Sequence, residues 1–355
     1  MRAAAAQMAS AVPDVDLASH IVPLDGVIFD TFQPGNRQLP LPEASPQQIL
    51  ALRDAIPPLH FPRYETVAEA TWMRDGDPVV GYSDADEAWA YPTRILDLHE
   101  IVNDRLGGRP VLISFYPLCF SAVVFDRRLG GRELVFGNTS ALYQSDMVML
   151  DYQTGSYWWQ VAGQAIVGTL SGQSMEPLPS ITTTWQEWRT AHPHTLVLSR
   201  DTGLGSDYQG SSFDGYAAFL DSDRFAFPVD PELVDTRLRA STKVVGYGDR
   251  VTAFVPAATE RGAINASVAG RPIVVLTEPR GPSGAVFDRT DGPASMTFTV
   301  RDDRYVDEAT GSVWSFAGRA ESGPLAGTQL QPVASTTALW FSAATVHPGI
   351  ELHQP

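Results

Sequence analysis

The chain of 355 residues repeats part of itself, and this repeat limits its possible folds more than any other feature of the sequence. Segment 109–127, RPVLISFYPLCFSAVVFDR, aligns with segment 271–289, RPIVVLTEPRGPSGAVFDR, at an offset of 162 residues (271 − 109). Eight of the 19 aligned positions are identical, whereas unrelated segments would share about one. Further on, DYQTGSYW at 151–158 resembles DEATGSVW at 307–314. We therefore predict two copies of one unit.

The tetrapeptide VVGY, present at 79–82 and again at 244–247, marks where each copy begins. Each copy then spans roughly 110–120 residues, the size of one small structural unit. The predicted organisation is an N-terminal segment 1–78 that packs on the core, a first β repeat at 79–198, a linker at 199–243 and a second β repeat at 244–355.

Short apolar runs bounded by Gly, Pro, Asp or Ser predict β-strands within each copy. In the first copy these runs are VLISF (111–115), AVVF (122–125), ELVF (133–136), MVML (147–150) and YWWQ (157–160). Gly130 and Gly131 lie between the second and third runs and predict a hairpin turn.

Three segments carry helix signals. Ser45 followed by Pro46 is a good helix start. Segment 93–105 has Ile95, Leu98 and Val102 at helical spacing. Thr184 with Glu187 fits a capping box at the start of a further helix. The predicted fold class is therefore mainly β with a few helices (α+β), built as a tandem duplication of an antiparallel β unit.

Charge and cysteine content exclude several functions. The chain has 25 basic and 41 acidic residues, a net charge of −16, which disfavours nucleic acids and anionic membranes as partners. A single cysteine excludes an intramolecular disulfide and a cysteine-rich zinc site. No apolar stretch reaches the roughly 18 residues that span a bilayer, and the N-terminus does not resemble a secretory signal. We expect a cytoplasmic protein.

The first copy is predicted to bear the functional site, because several polar residues occur only there. His99 and Glu100 have no equivalents in the second copy, and Tyr116 aligns with Glu278. The segment GNTSALYQSDMVML at 137–150 is shortened to about half in the second copy. The second copy is expected to be a degenerate structural unit.

We predict an enzyme that acts on a small organic molecule in a pocket of the first copy. On the predicted helix, His99 and Asn103 are four residues apart and would share one face. His99 would act as general acid/base, together with Tyr116 or Asp146. Cys119 would be a nucleophile if a base lies nearby. The residues predicted to bind the substrate are Asn103, Tyr143, Trp158 and Trp159.

Two alternatives remain open at this stage. Thiolate, imidazole and thioether ligands suit copper, so Cys119, His99 and Met147 could form a metal or redox centre for copper or another transition metal. Alternatively, aromatic residues such as Trp158 and Trp159 could line the groove of a non-catalytic binding module. The enzyme hypothesis itself requires no cofactor.

Four motifs in the chain together resemble a prokaryotic family known as domain of unknown function 3179. These motifs are HEIVND (99–104), PLCFSAVVFDR (117–127), SDMVMLD (145–151) and TTTWQEW (182–188), with a similar linker at 210–230. The usual family core reads CPLCGSA, preceded by WHEIVND. Here Tyr116 replaces the first Cys, Phe120 replaces the Gly and Leu98 replaces the Trp. These three replacements imply a divergent member of the family. The family's Cys pair suggests thiol redox chemistry or metal binding, and this chain keeps one Cys of that pair.

Overall fold

The structure is a computed structural model. It describes residues 8–9, 11–35, 38–84, 87–209, 216–222, 224–248, 252–256, 260–279, 284–290 and 296–353. Part of the predicted linker, residues 210–215, lies outside the described residues.

Most regular structure in the chain is β. Up to the end of the first half the strands are β1 (Val27–Asp30), β2 (Gln38–Pro40), β3 (Leu59–His60), β4 (Tyr64–Thr66), β5 (Pro78–Asp84), β6 (Glu87–Pro92), β7 (Ile101–Leu106), β8 (Arg109–Tyr116), β9 (Ser121–Asp126), β10 (Arg128–Leu129), β11 (Arg132–Glu133), β12 (Phe136–Tyr143), β13 (Asp146–Asp151), β14 (Tyr157–Trp159), β15 (Gln164–Val167), β16 (Glu176–Pro177), β17 (Ser180–Thr184) and β18 (Leu196–Leu198). In the second half they are β19 (Lys243–Tyr247), β20 (Thr252–Phe254), β21 (Gly262–Val268), β22 (Arg271–Thr277), β23 (Gly284–Asp288), β24 (Phe298–Arg301), β25 (Arg304–Asp307), β26 (Val313–Trp314), β27 (Ala320–Ser322), β28 (Thr336–Leu339) and β29 (Glu351–His353).

The helices of the described residues are short. The α-helices are α1 (Pro46–Leu52), α2 (Thr93–Leu96), α3 (Trp185–Ala191), α4 (Tyr216–Leu220) and α5 (Trp340–Val346), and 3₁₀ turns occur at Leu24–Gly26, Leu41–Glu43 and Pro231–Leu233. None of the helices in this described part is long and apolar enough to cross a membrane.

Both halves of the chain contribute strands to one large sheet, here called the central sheet. Its strand order is β29–β20–β19–β28–β9–β8–β7–β3, with β16 also pairing with β9. The halves meet where β28 pairs with β9 at Thr337 and Ala122. Most of its strand pairs are antiparallel, while β3 with β7 and β20 with β29 are parallel.

A second sheet, here called the facing sheet, packs on one face of the central sheet. Its order is β15–β14–β13–β12–β1–β2, so the N-terminal segment extends it. Successive strand residues point to opposite faces. Accordingly, Leu112 and Val123 of the central sheet join a core cluster with Met149 of the facing sheet, whereas Val111 and Val124 join the cluster on the other side. The mainly β architecture is confirmed.

Two further groups of strands complete the described fold. A sheet of order β17–β5–β6–β18–β4 lies beside the central sheet in the first half. In the second half, the sheets β21–β22–β23 and β24–β25–β26–β27 share a core cluster, which includes Val274, Phe287, Tyr305 and Trp314.

Local signals for turns and helix starts are confirmed. Gly130 and Gly131 join β10 to β11 with φ of 56° and 78°, the left-handed conformation that such hairpin turns require. Ser45 Oγ accepts from Gln48 N, and Gln48 Oε1 accepts from Ser45 N, which closes a capping box on α1. Thr184 Oγ1 accepts from Glu187 N at the start of α3.

The predicted helix over 93–105 is wrong beyond its first turn. Helix α2 ends at Leu96, and Ile101–Leu106 forms β7, which pairs with β8. Long-range pairing outweighs the helical spacing here. His99 and Asn103 therefore do not share a helix face. The predicted strand at 133–136 is also interrupted, because residues 134–135 lie between β11 and β12.

Candidate functional site

A group of buried polar side chains lies between the central and facing sheets. We call it the central polar cluster; it consists of Glu100, Ser114, Tyr116, Cys119, Ser121, Asn138, Ser145, Asp146 and Gln160, all of them buried. Buried polar groups are stable only when hydrogen-bonded or neutral, so such a concentration in a core is unusual.

Asp146, at the start of β13, belongs to a hydrogen-bond network that includes Ser121 of β9. Ser121 Oγ lies 2.8 Å from Gln160 Oε1 and 3.2 Å from Asp146 Oδ1. One hydroxyl hydrogen can serve only one of these two acceptors at a time. Val161 N donates to Asp146 Oδ2 at 3.1 Å. Burial is the largest influence and raises the pKa of Asp146 to about 7, although hydrogen bonds oppose it.

Glu100 supplies a second buried carboxyl group. Its Oε2 accepts from Asn138 Nδ2 at 2.6 Å. Burial raises the pKa of Glu100 to about 8; the bond to Asn138 opposes the rise, and the negative charge of Asp146 adds to it. Near pH 7, Glu100 is therefore mainly a neutral acid.

Tyr116 and Cys119 complete the chemistry of the cluster. Burial is the main reason why the pKa of the Tyr116 phenol is raised, and Glu100, Cys119 and Asp146 raise it further. Cys119 Sγ donates to Ser145 O at 3.2 Å, and burial followed by the charge of Asp146 raises the pKa of the thiol. Cys119 is therefore a thiol, whereas reactive cysteines are thiolates of lowered pKa.

Strained backbone surrounds the cluster. Glu100, Phe120, Ser140, Gln144 and Ser145 have φ of 57°, 48°, 60°, 52° and 59°. Non-glycine residues rarely adopt these values, and such strain concentrates at functional sites. These residues end or interrupt the strands that carry the cluster.

Three hydroxyl groups beside Cys119 make no well-formed hydrogen bond among the described residues, although Ser342 contacts the thiol and Ser145 contacts Tyr216. They are Ser145 Oγ, Ser342 Oγ of α5 and Tyr216 Oη of α4. Ser342 lies close enough to lower the pKa of the thiol, and Cys119 in turn raises the pKa of Tyr216. Tyr216 is partly exposed and is thus the side of the cluster nearest to solvent. Buried hydroxyls without a well-formed hydrogen bond are what a site that holds a ligand or water would show.

His99 lies apart from these groups. Its Nδ1 is 2.7 Å from Pro57 O and its Nε2 is 2.7 Å from Tyr208 Oη. Tyr208 belongs to the core cluster on the other face of the central sheet. In the described chain, His99 makes no hydrogen bond to Tyr116, Cys119 or Asp146. Burial lowers the pKa of His99, and its bond to Pro57 opposes this.

The residues predicted to bind a substrate make contacts within the fold. Asn103 Nδ2 donates to Phe136 O at 2.7 Å and its Oδ1 accepts from Phe136 N at 2.7 Å, so the amide joins β7 to β12. Trp158 Nε1 donates to Asp151 Oδ2 at 3.0 Å.

Tyr143 and Trp159 form an edge-to-face pair with a centroid distance of 5.0 Å. Both belong to the cluster on the far face of the facing sheet. They therefore lie on the other side of that sheet from Cys119.

The predicted metal ligands are not assembled. Over the described residues, no group of three or more His, Cys, Asp or Glu side chains is placed to hold a metal ion. Met147 Sδ is 3.5 Å from Asn138 Nδ2, and the His99 nitrogens are engaged elsewhere.

Sequence reasoning did not assign roles to several members of the central polar cluster. Asn138, Gln160 and Ser342 carry no motif signal, since they are separated in the chain and meet only when the sheets pack. Glu100 did carry a signal, because it is absent from the second copy and lies within HEIVND.

Comparison with known proteins gives one match. The sequence model of a family described as "Protein of unknown function (DUF3179)" matches residues 53–350. No curated protein and no solved structure matches the chain.

Proposed function

The chain belongs to the DUF3179 family, and we propose that it is an enzyme that acts on a small organic molecule by acid–base chemistry at the central polar cluster. The family description names no activity, so the proposal depends on the geometry of the site.

One observation carries the proposal. Two buried carboxyl groups, Glu100 and Asp146, have pKa values raised to about 8 and about 7, and both influence the phenol of Tyr116. General acid–base catalysis works best when the catalytic pKa is close to the working pH. Two carboxyl groups with separated pKa values can serve as acid and base in one reaction.

The hydrogen bonds suggest a role for each group. Asp146 would accept a proton, because Val161 N and Ser121 Oγ donate to its oxygens, and Glu100 would donate one. Tyr116 keeps its proton and would donate a hydrogen bond to negative charge that develops on the substrate. A substrate would approach past Tyr216, using the hydroxyls that make no well-formed hydrogen bond.

In this proposal Glu100 takes the acid/base role that the sequence predicted for His99. Each ring nitrogen of His99 already has a partner, whereas Glu100 faces Asp146. His99 would instead fix the chain just before Glu100. Cys119 would orient Ser145 rather than attack the substrate, because its thiol pKa is raised.

We also infer that the halves descend from one duplicated unit. The same bonds recur at the offset of the sequence repeat: Asn265 donates to Phe298 O at 2.7 Å, as Asn103 does to Phe136 O. At the shorter offset of 156 residues (307 − 151), Trp314 Nε1 donates to Asp307 Oδ2 at 3.0 Å, matching the bond from Trp158 to Asp151.

In the first unit, two buried carboxyl groups, Glu100 and Asp146, influence one phenol, that of Tyr116. In the second unit, Glu278 aligns with Tyr116 and binds Arg261 and Tyr305. Burial raises the pKa of Glu278 to about 7, and its bond to Tyr305 and the charge of Arg261 oppose the rise. The ion pair with Arg261 distinguishes it from Glu100 and Asp146, which have no such partner among the described residues, and supports a structural role for Glu278.

The test is a search for substrate turnover. The full chain is incubated with a cell extract of small molecules, and mass spectrometry identifies compounds that are consumed and formed. We expect Glu100→Gln and Asp146→Asn to slow this turnover at least about 100-fold, with Tyr116→Phe slowing it less. Glu278→Gln is the matched control and should turn over at the wild-type rate.

Circular dichroism and thermal unfolding show whether each variant is folded. If folded Glu100→Gln and Asp146→Asn both retain wild-type turnover, the assignment fails. If compounds are retained by the wild-type protein but none is converted, the chain is a binding module and not an enzyme.

A further inference from the structure

A cleft outside the central polar cluster gathers arginine side chains. Its volume is about 340 Å³, and we call it the arginine cleft. It is lined by Trp72, Arg74, Arg94, Arg200, Asp201, Ser206, Asp207, Tyr208 and Gln209. This size is at the low end of the range for small-ligand pockets.

The arginines come from separate parts of the chain and two of them are fixed in place. Arg94, in α2, forms an ion pair with Asp77. The Arg200 guanidinium lies 5.7 Å from the ring centroid of Trp72, a cation–π contact. Arg74 lies on the loop before β5. All three arginines line one space, in which Arg94 and Arg200 are oriented by these contacts.

Positive charge in the arginine cleft is only partly compensated. Across the described residues, neither Arg74 nor Arg200 forms an ion pair. Of the acidic lining residues, Asp201 is paired with Arg63, which leaves Asp207 to offset two arginines. In a chain of net charge −16, a local excess of guanidinium is a specific feature and not a reflection of overall composition.

The floor of the cleft is built on a directed hydrogen-bond chain. Pro57 O can only accept, so His99 Nδ1 carries the proton and Nε2 accepts from Tyr208 Oη at 2.7 Å. The Tyr208 oxygen then accepts from Thr202 Oγ1 at 2.6 Å. These hydrogen bonds fix the Tyr208 ring at the base of the cleft. They also give both ring nitrogens of the fully buried His99 a partner.

We propose that the arginine cleft binds a small organic anion, a carboxylate or a phosphate monoester, whose charged group contacts Arg74 and Arg200. Guanidinium groups match the planar or tetrahedral oxygens of these anions with paired hydrogen bonds. Trp72 and Tyr208 offer ring surface to the rest of the ligand. The proposal does not depend on the proposed catalytic function, because the two sites share no lining residue.

Titration calorimetry of the full chain tests it with benzoate, malonate, phenyl phosphate and inorganic phosphate. We expect at least one probe to bind with a Kd of about 1 mM or tighter. Arg74→Gln and Arg200→Gln should each weaken this binding about tenfold, and added salt should weaken it further. Arg132→Gln is the matched control, since Arg132 is an exposed arginine on the β10–β11 hairpin.

The probes also separate the two anion classes. Binding of the phosphates alone identifies a phosphate site, and binding of the carboxylates alone identifies a carboxylate site. If none of the four probes binds, or if the cleft variants bind as the wild type does, the proposal is overturned.

Discussion

His99 and Glu100 are consecutive residues whose side chains enter different clusters. His99 Nε2 lies 2.7 Å from Tyr208 Oη at the floor of the arginine cleft, and Glu100 Oε2 lies 2.6 Å from Asn138 Nδ2 in the central polar cluster. The φ of 57° at Glu100 marks the backbone turn between them. A single peptide unit thus connects the catalytic and anion sites that we propose.

Glu100 should make the folded protein less stable as the pH rises. Its pKa is about 8 in the folded state against a model-compound value of 4.5, so between these values the folded state binds more protons than the unfolded state. The free energy of unfolding therefore falls from pH 4.5 to pH 8. Glu100→Gln removes this contribution and should gain stability relative to wild type, on the order of a few kcal/mol between pH 5 and pH 9.

Urea unfolding followed by tryptophan fluorescence at pH 5, 7 and 9 measures this gain. Glu43→Gln, at an exposed site, is the control and should follow the wild-type pH dependence. If the free energies of unfolding of Glu100→Gln and wild type differ by the same amount at all three pH values, Glu100 is not a buried neutral acid.

Cys119 should not react in the folded protein. Its thiol is fully buried and its pKa is raised, so little thiolate is available to a disulfide reagent. Because it is the single cysteine, a thiol assay reports on it alone. At pH 8, we expect slow labelling of the native chain and complete labelling in guanidinium chloride. Rapid native labelling would instead favour the nucleophile hypothesis.

Asn103 and Asn265 should both matter for stability, but to different extents. Each amide makes paired bonds to the backbone of a phenylalanine, while Asn103 is fully buried and Asn265 is partly exposed. We expect Asn103→Ala to destabilise by about 3 kcal/mol and Asn265→Ala by about 1–2 kcal/mol. Equilibrium urea unfolding measures both. A larger effect at Asn265 would be inconsistent with these burial differences.

His99 and Tyr208 should be energetically coupled. His99→Phe removes the donor to Pro57 O and the acceptor of the Tyr208 hydroxyl hydrogen, at a cost of about 2–4 kcal/mol. In a Tyr208→Phe background the hydroxyl is already absent, so His99→Phe should cost less. A double-mutant cycle by urea unfolding gives the coupling free energy, and additive effects would mean that the bond contributes little.

Much of the fold could be predicted because its signals are local. The Ser45 and Thr184 helix starts and the Gly130–Gly131 turn each depend on a few adjacent residues, and all were found where expected. Strands β8, β9 and β13 are marked by short, mainly apolar runs.

The site was predicted only in part because it depends on distant pairing. Cys119, Tyr116 and Asp146 do meet, but the helical spacing of 93–105 suggested a helix with His99 and Asn103 on one face. Pairing with β8 makes residues 101–106 a strand, and no local sequence signal reveals this pairing. The neighbour relation of Glu100 and Asp146 likewise arises only when two sheets close on each other.

The pairing of Ala122 with Thr337 has a practical consequence for anyone who divides this chain. Leu339 N also donates to Cys119 O at 2.7 Å, so β28 supports the loop that carries the thiol. Expressing the first 200 residues or so alone would expose the Ala122 end of β9, because β16 pairs with β9 only at Phe125 and Asp126, and an exposed edge can recruit other chains and cause aggregation. The leading half is thus a poor candidate for independent production, and fragment work should supply both halves together.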